Sequence, residues 1–149
     1  MRYYLDTEFN GFGGELISLA LVPADKEVPP FYCVVEWQAP TVPWVAEHVI
    51  PHLEMEPIHR SAASAELARY LNLYGWKTIV ADWPTDFEHL LALLITGPGR
   101  MVDVPSFDME LRRSSFDPAA HSRIPHNALE DAIALRDYRE TLPKGAKDE

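Results

Sequence analysis

Two carboxylates stand one residue apart near the start of the chain, in "MRYYLDTEFNG": Asp6 and Glu8, separated by Thr7. On an extended strand, residues i and i+2 point to the same face. If the strand begun by Tyr3, Tyr4 and Leu5 runs on, the two acids project together. Carboxylates held that close repel each other unless a positive charge lies between them. Hard divalent cations such as Mg²⁺ or Mn²⁺ take oxygen ligands and answer that need. The plain alternative ends the strand at Leu5 and leaves both acids in water.

Two later segments offer further acids. In "VADWPTDFEHLL", Thr85 and Glu88 have the spacing of a capping box, which starts a helix at Thr85 and puts Asp86 in its first turn. Leu90 and Leu93 follow at helical spacing, so Asp86 leans towards a buried stripe. The bland role for Asp86 is to complement the helix macrodipole. Asp82, at the end of the preceding apolar run, is its rival. In "IPHNALEDAIALRDY", Asn127 and Glu130 fit an N-cap and its partner, which leaves His126 just outside the helix. Asp131 shares a stripe with Ala128, Leu135 and Tyr138, and an acid on an apolar stripe calls for a partner. Standing alone, His126 reads as a surface loop histidine.

These residues need a frame. Residues 2–5 read as a short buried strand, "ELISLALVP" (15–23) as a second and "FYCVVEW" (31–37) as a third, with turn chemistry in "NGFGG" (10–14) and at 24–30. One short helix is expected over 42–53, stopped near Pro51, and a longer one over 61–75 capped by Ser61 or Ser64. "KTIVAD" (77–82) returns to strand, a helix runs to about residue 95, and "MVDV" (101–104) reads as the fifth strand. Residues 105–125 carry no clear period, and the last helix covers 127–140. The order predicts an α/β domain over 1–142, with a five-stranded mixed sheet flanked by helices and a disordered tail over 143–149.

Composition sets outer bounds. The chain has 149 residues, 47% of them hydrophobic and 24% charged, which suits one globular domain. A single cysteine, Cys33, excludes an internal disulfide and suits a reducing cytoplasm. The N-terminus reaches Asp6 with no room for a targeting peptide, so a cytoplasmic location with no membrane is expected. A net charge of −10 argues against wrapping long nucleic acid, so any nucleic-acid contact should be small and local.

The order of "DTE" (6–8), "TDFEHL" (85–90) and "HNALED" (126–131) resembles the DEDDh 3′–5′ exonuclease family over nearly the whole chain. Asn127 stands where the tyrosine branch of that family would have a tyrosine, so the resemblance is to the histidine branch. Within it, "YLDTEFNG…ELISLALV" looks most like the small bacterial ribonuclease AS-like exoribonucleases. The resemblance implies a ribonuclease H-like fold and two-metal phosphodiester hydrolysis. Two ions, Mg²⁺ or Mn²⁺, would lie about 3.5–4 Å apart. On this pattern Asp6 bridges both ions, Glu8 and Asp131 complete the coordination of the first ion, Asp86 supports the second ion, and His126 is the general base. The product would be a nucleoside 5′-monophosphate released from the 3′ end of single-stranded RNA. Relatives are commonly dimers, so a homodimer is an open expectation.

Candidate substrate contacts are Thr7, Phe9, Trp83 and Arg123. Phe9 could stack on the terminal base or serve the core, and Trp83 presents the same choice. Arg112, Arg113 and Arg123 could hold phosphates or simply be solvated. Three rivals stand beside this reading. One is an exonuclease on single-stranded DNA or short oligonucleotides. Another is an inactive binding module, which should have lost one of the five positions. The third is a haloacid-dehalogenase-like phosphatase, which needs a suitably placed lysine; Lys26 and Lys77 fall at poor places, and Lys144 and Lys147 are in the tail.

Overall fold

The computed structural model describes residues 1–146. The expected tail lies outside the described residues from 147 onward, and 143–146 form a turn in which the Ala146 N–H donates to the Pro143 carbonyl.

Alternation along the first strand organises everything else. Strand β1 (Arg2–Phe9) runs through Asp6 and Glu8 rather than stopping at Leu5. It pairs antiparallel with β2 (Leu16–Pro23), which pairs antiparallel with β3 (Phe31–Val34). On its other side β1 pairs parallel with β4 (Thr78–Ala81). The sheet order is β3-β2-β1-β4 and then one more parallel strand, so β1 is central.

That fifth strand differs from the expectation. Residues 101–104 do not join the sheet. Ile95–Gly97 (β5) and Arg100–Met101 (β6) form a separate two-stranded hairpin, and the sheet is completed by β7 (Asp108–Leu111). Valines at 102 and 104 pack against the core from a loop, which explains the apolar signal there. Strand β7 lies at an edge with Met109 and Leu111 exposed, so it carries no buried alternation to read.

Helices cover both faces. Helix α1 (Pro43–His48) is short and is followed by a 3₁₀ turn at Ile50–His52, so the expected 42–53 helix is broken in two. Helix α2 is Arg60–Leu71 and α3 is Pro84–Leu94. Tyr3 and Leu5 of β1 pack with Leu67 and Leu71 of α2 and Leu90 and Leu93 of α3. Their alternates face the other layer, where Tyr4 packs with Leu135 of α5 (Ala128–Thr141). A one-turn helix, α4 (Pro118–His121), lies against α5. Asp6 and Glu8 share the parity of Tyr4, and Thr7 shares that of Leu5.

Two caps differ from the sequence reading. The α2 N-cap is His59, whose Nδ1 accepts from the Ser61 N–H at 3.2 Å, rather than Ser61 or Ser64. The α3 N-cap is Trp83, not Thr85, because Pro84 takes the first helical position with its fixed φ. The N-cap of α5 is Asn127, which accepts from the Glu130 N–H at 3.1 Å as the spacing predicts.

The β1–β2 connection also pins the segment before α1. Gly11 has φ +74°, which favours glycine, and a Cβ there would sit 3.3 Å from Val42. Asn10 is buried; its Nδ2 donates to the Pro40 carbonyl at 3.0 Å and its Oδ1 accepts from the Val42 N–H at 2.9 Å. The Glu15 carboxylate accepts from the Gln38 and Ala39 N–H groups. Replacing Asn10 by alanine removes both of its bonds and should lower the unfolding free energy by about 1–3 kcal/mol. Urea denaturation measures this, and wild-type stability in Asn10→Ala would contradict the clamp.

Candidate functional site

Three elements converge at the carboxyl end of β1. Strand β1 brings Asp6 and Glu8, the first turn of α3 brings Asp86, and α5 with the residue before its cap brings Asp131 and His126. Ligand sites in sheets of this kind favour the carboxyl ends of the parallel strands, where helix N-termini gather.

Glu8, His126 and Asp131 offer ligand atoms that all lie within 4.8 Å of one another. These three could hold a metal ion. Asp6 joins them electrostatically: its carboxyl is held well above the usual range by burial and then by the charges of Asp86, Glu8, Asp131 and Asp82. Two oxygens in the cluster, Asp6 Oδ2 and Asp131 Oδ1, are buried without a hydrogen-bond partner. Orphaned carboxylate oxygens beside other acids are what a hard cation satisfies, so the donor set fits a divalent ion.

Asp86 approaches from the opposite layer. It is 3% exposed, and Thr7 Oγ1 donates to its Oδ1 at 2.6 Å. Burial raises it to about 7, against the pull of that hydroxyl. Thr7 is itself buried, so its hydroxyl serves Asp86 and does not face an open surface. Asp82, the rival acid, is half-buried and adds its charge to both Asp6 and Asp86. Asp131 is raised to about 6 by burial and accepts from the His126 backbone N–H at 3.1 Å. That bond goes with a left-handed backbone at His126, φ +64°. Burial, and then the nearby His48, hold the His126 imidazole below its ordinary pKa and favour the neutral form a base needs.

The proposed substrate contacts separate into groups. Phe9 and Trp83 line a groove of about 560 Å³ that starts at Glu8. Phe12, Trp44 and His89 share the wall, and Phe9 lies 5.1 Å from the His89 ring. Phe12 is fully exposed at the tip of the β1–β2 turn, and Trp44 is 51% exposed. Sequence reading missed Phe12, Trp44 and His89, because only the folded chain brings them to one groove. Arg113 lies over the Trp83 ring at 4.7 Å. Arg123 is tied to Glu130 at 2.6 Å, and Arg112 pairs with Glu110 and lines a separate cavity with Arg2, Tyr4 and Lys144.

No family model and no curated protein matches the chain. The chemistry is therefore read from the residues themselves. Two of the lysines are committed elsewhere: Lys77 is buried and donates to the Leu73 and Gly75 carbonyls in the turn after α2, and Lys26 pairs with Asp137 at 3.4 Å. Among the described residues, no helix is long and apolar enough to cross a membrane.

The acids also predict how stability follows pH. Burial, then the charges of Asp131 and Asp86, push Glu8 up to about 8 from an ordinary 4.5. The folded state holds that proton more tightly than the unfolded chain. Its stabilisation is complete below the ordinary value and is lost as pH rises to about 8. In a metal chelator, the melting temperature of the wild type should fall across this window. Glu8→Gln, which cannot ionise, should fall less steeply. Equal slopes by calorimetry would contradict the assignment.

Proposed function

We propose that the chain is a metal-dependent 3′–5′ exonuclease of ribonuclease H-like fold that acts on single-stranded RNA. The observation that carries this is the convergence of four acids and a histidine at the end of β1, with Asp6 Oδ2 and Asp131 Oδ1 buried and unpartnered. The sheet order, with an antiparallel meander joined to parallel strands through a central β1, supports the fold assignment.

Asp6, Glu8 and Asp131 would hold divalent cations, Mg²⁺ or Mn²⁺, with Asp86 behind them. Bound there, such ions supply charge for the attacking and leaving oxygens of a phosphodiester. The chain's own groups do the rest. His126 takes a proton from the attacking water, and the N–H bond to Asp131 keeps its backbone beside the acids. Thr7 holds Asp86 in place through its hydroxyl. The groove beside Glu8 offers aromatic faces from Phe9, Phe12, Trp44 and Trp83, on which unpaired bases can stack. Arg113, over the Trp83 ring, is a cation beside that groove wall and would meet a backbone phosphate there. A short groove in an acidic protein suits a strand end better than a long duplex. The bond broken lies between the phosphorus and the 3′ oxygen of the preceding nucleotide, which leaves a nucleoside 5′-monophosphate.

The tight grouping of His126 with Glu8 and Asp131 favours one variant of this reading, in which His126 is a ligand rather than a base. End-labelled RNA and DNA oligonucleotides, with Mn²⁺ or with chelator, test both readings. Wild type should shorten RNA from the 3′ end only with metal, and Asp6→Ala should be inactive. His126→Ala should bind Mn²⁺ normally and turn over about 10²–10⁴-fold more slowly. Lost Mn²⁺ binding in that variant would make His126 a ligand. Shortening of DNA but not RNA would overturn the substrate, and no metal-dependent shortening would overturn the activity.

A further inference from the structure

Helix α1 supplies the Trp44 face of the groove, and it also touches the proposed base. The Trp44 indole and the His126 imidazole meet in a T-shaped contact, with ring centres 4.8 Å apart and planes at 76°. One turn later on the same helix, His48 stacks on Trp44 at 4.6 Å and 17°. The His48 Nδ1 lies 2.9 Å from the Trp44 carbonyl oxygen, and its ring centre is 6.3 Å from that of His126. Three rings from two distant segments thus form one stack with a T-shaped contact at its end.

This stack has a rigid base. Helix α1 follows the segment that Asn10 and Glu15 clamp to the β1–β2 turn. That turn begins where Glu8 and Phe9 end β1. The placement of Trp44 is therefore tied to the strand that carries Asp6 and Glu8. His126, in contrast, lies outside α5 and is held through its backbone N–H to Asp131. That bond fixes the backbone and leaves the ring to rotate about its side-chain torsions. The T-shaped contact with Trp44 supplies a restraint on the ring, since aromatic edge-to-face contacts are directional. Trp44 also forms part of the groove wall beside Glu8.

We propose that Trp44, backed by His48, is the positioning residue of His126: its T-shaped contact orients the imidazole towards the carboxylate cluster, and the same indole meets the substrate in the groove. This rests on the reading of His126 as the general base. Trp44 does not touch the reacting atoms in this account. It links occupancy of the groove to the orientation of the group that takes the proton. A general base works only within hydrogen-bond reach of that proton, so small rotations of the ring carry a large penalty.

A double-mutant cycle tests it. Single-turnover rates at saturating enzyme are measured on a single-stranded RNA oligonucleotide with Mn²⁺ for wild type, Trp44→Ala, Trp44→Leu, Trp44→Phe, His48→Ala, His126→Ala and the Trp44→Ala/His126→Ala pair. Trp44→Ala should slow the saturated rate by on the order of 10-fold, less than loss of His126 itself. Trp44→Phe, which keeps an aromatic ring, should recover most of the rate. His48→Ala should show a smaller loss. In the His126→Ala background, Trp44→Ala should leave the saturated rate unchanged and raise only the concentration needed to reach it. Trp44→Leu keeps the bulk without the ring, so it should be as slow as Trp44→Ala and guards against a folding defect in the alanine variant. An equal loss from Trp44→Ala with and without His126, or a change confined to substrate affinity, would overturn the proposal. A wild-type saturated rate in His126→Ala would instead overturn the base assignment beneath it.

Discussion

Mutual repulsion among buried carboxylates is the constraint around which this molecule is arranged. Asp6, Glu8, Asp86 and Asp131 crowd the end of one strand, and burial raises all four above the ordinary carboxylate range. Such a cluster costs folding free energy when it stands alone. The fold offsets part of that cost locally. Helices α3 and α5 bring the acids in their first turns, where the N-terminal end of the macrodipole favours negative charge. Thr7 and the His126 N–H each donate to one carboxylate. What stays unsatisfied, an oxygen on Asp6 and one on Asp131, is the demand a cation would meet.

Rigidity follows from the same arrangement. β1 is paired with β4 over Arg2–Tyr4 and with β2 through Asp6 and Glu8, and its core residues are covered on both faces, so the strand holds Asp6 and Glu8 together against their repulsion. The alternation of β1 splits the labour between layers. Tyr3, Leu5 and Thr7 face α2 and α3, and Tyr4, Asp6 and Glu8 face α5. Asp86 belongs to the first layer yet reaches the cluster over the end of the sheet, where Thr7 meets it. The aromatic groove grows from this edge as well, because the β1–β2 turn and α1 are clamped together immediately beyond Glu8.

Much of this was legible in the residues, for identifiable reasons. The period of two along "YYLDTE" placed Asp6 and Glu8 on one face, and the capping chemistry of Asn127 placed His126 and Asp131 beside each other. Short-range rules sufficed there because each pair lies within one element or at its end. They misled at Thr85, where Pro84 opens the helix and moves the cap two residues earlier to Trp83, and at Ser61, where an imidazole takes the cap. The edge strand β7 gave no apolar alternation, while Val102 and Val104 imitated a strand from a loop. Trp44 and His48 carried no signal at all. Their role arises only when residues 44 and 126, far apart in the chain, meet across the fold.

The central claim is that the carboxylate cluster is a divalent-cation centre. Diffraction from crystals grown with Mn²⁺, recorded at the manganese absorption edge, tests it most directly. The account predicts anomalous density within bonding distance of oxygens from Asp6, Glu8 and Asp131. Ordered, empty carboxylates at that strand end, in crystals that contain Mn²⁺, would contradict it.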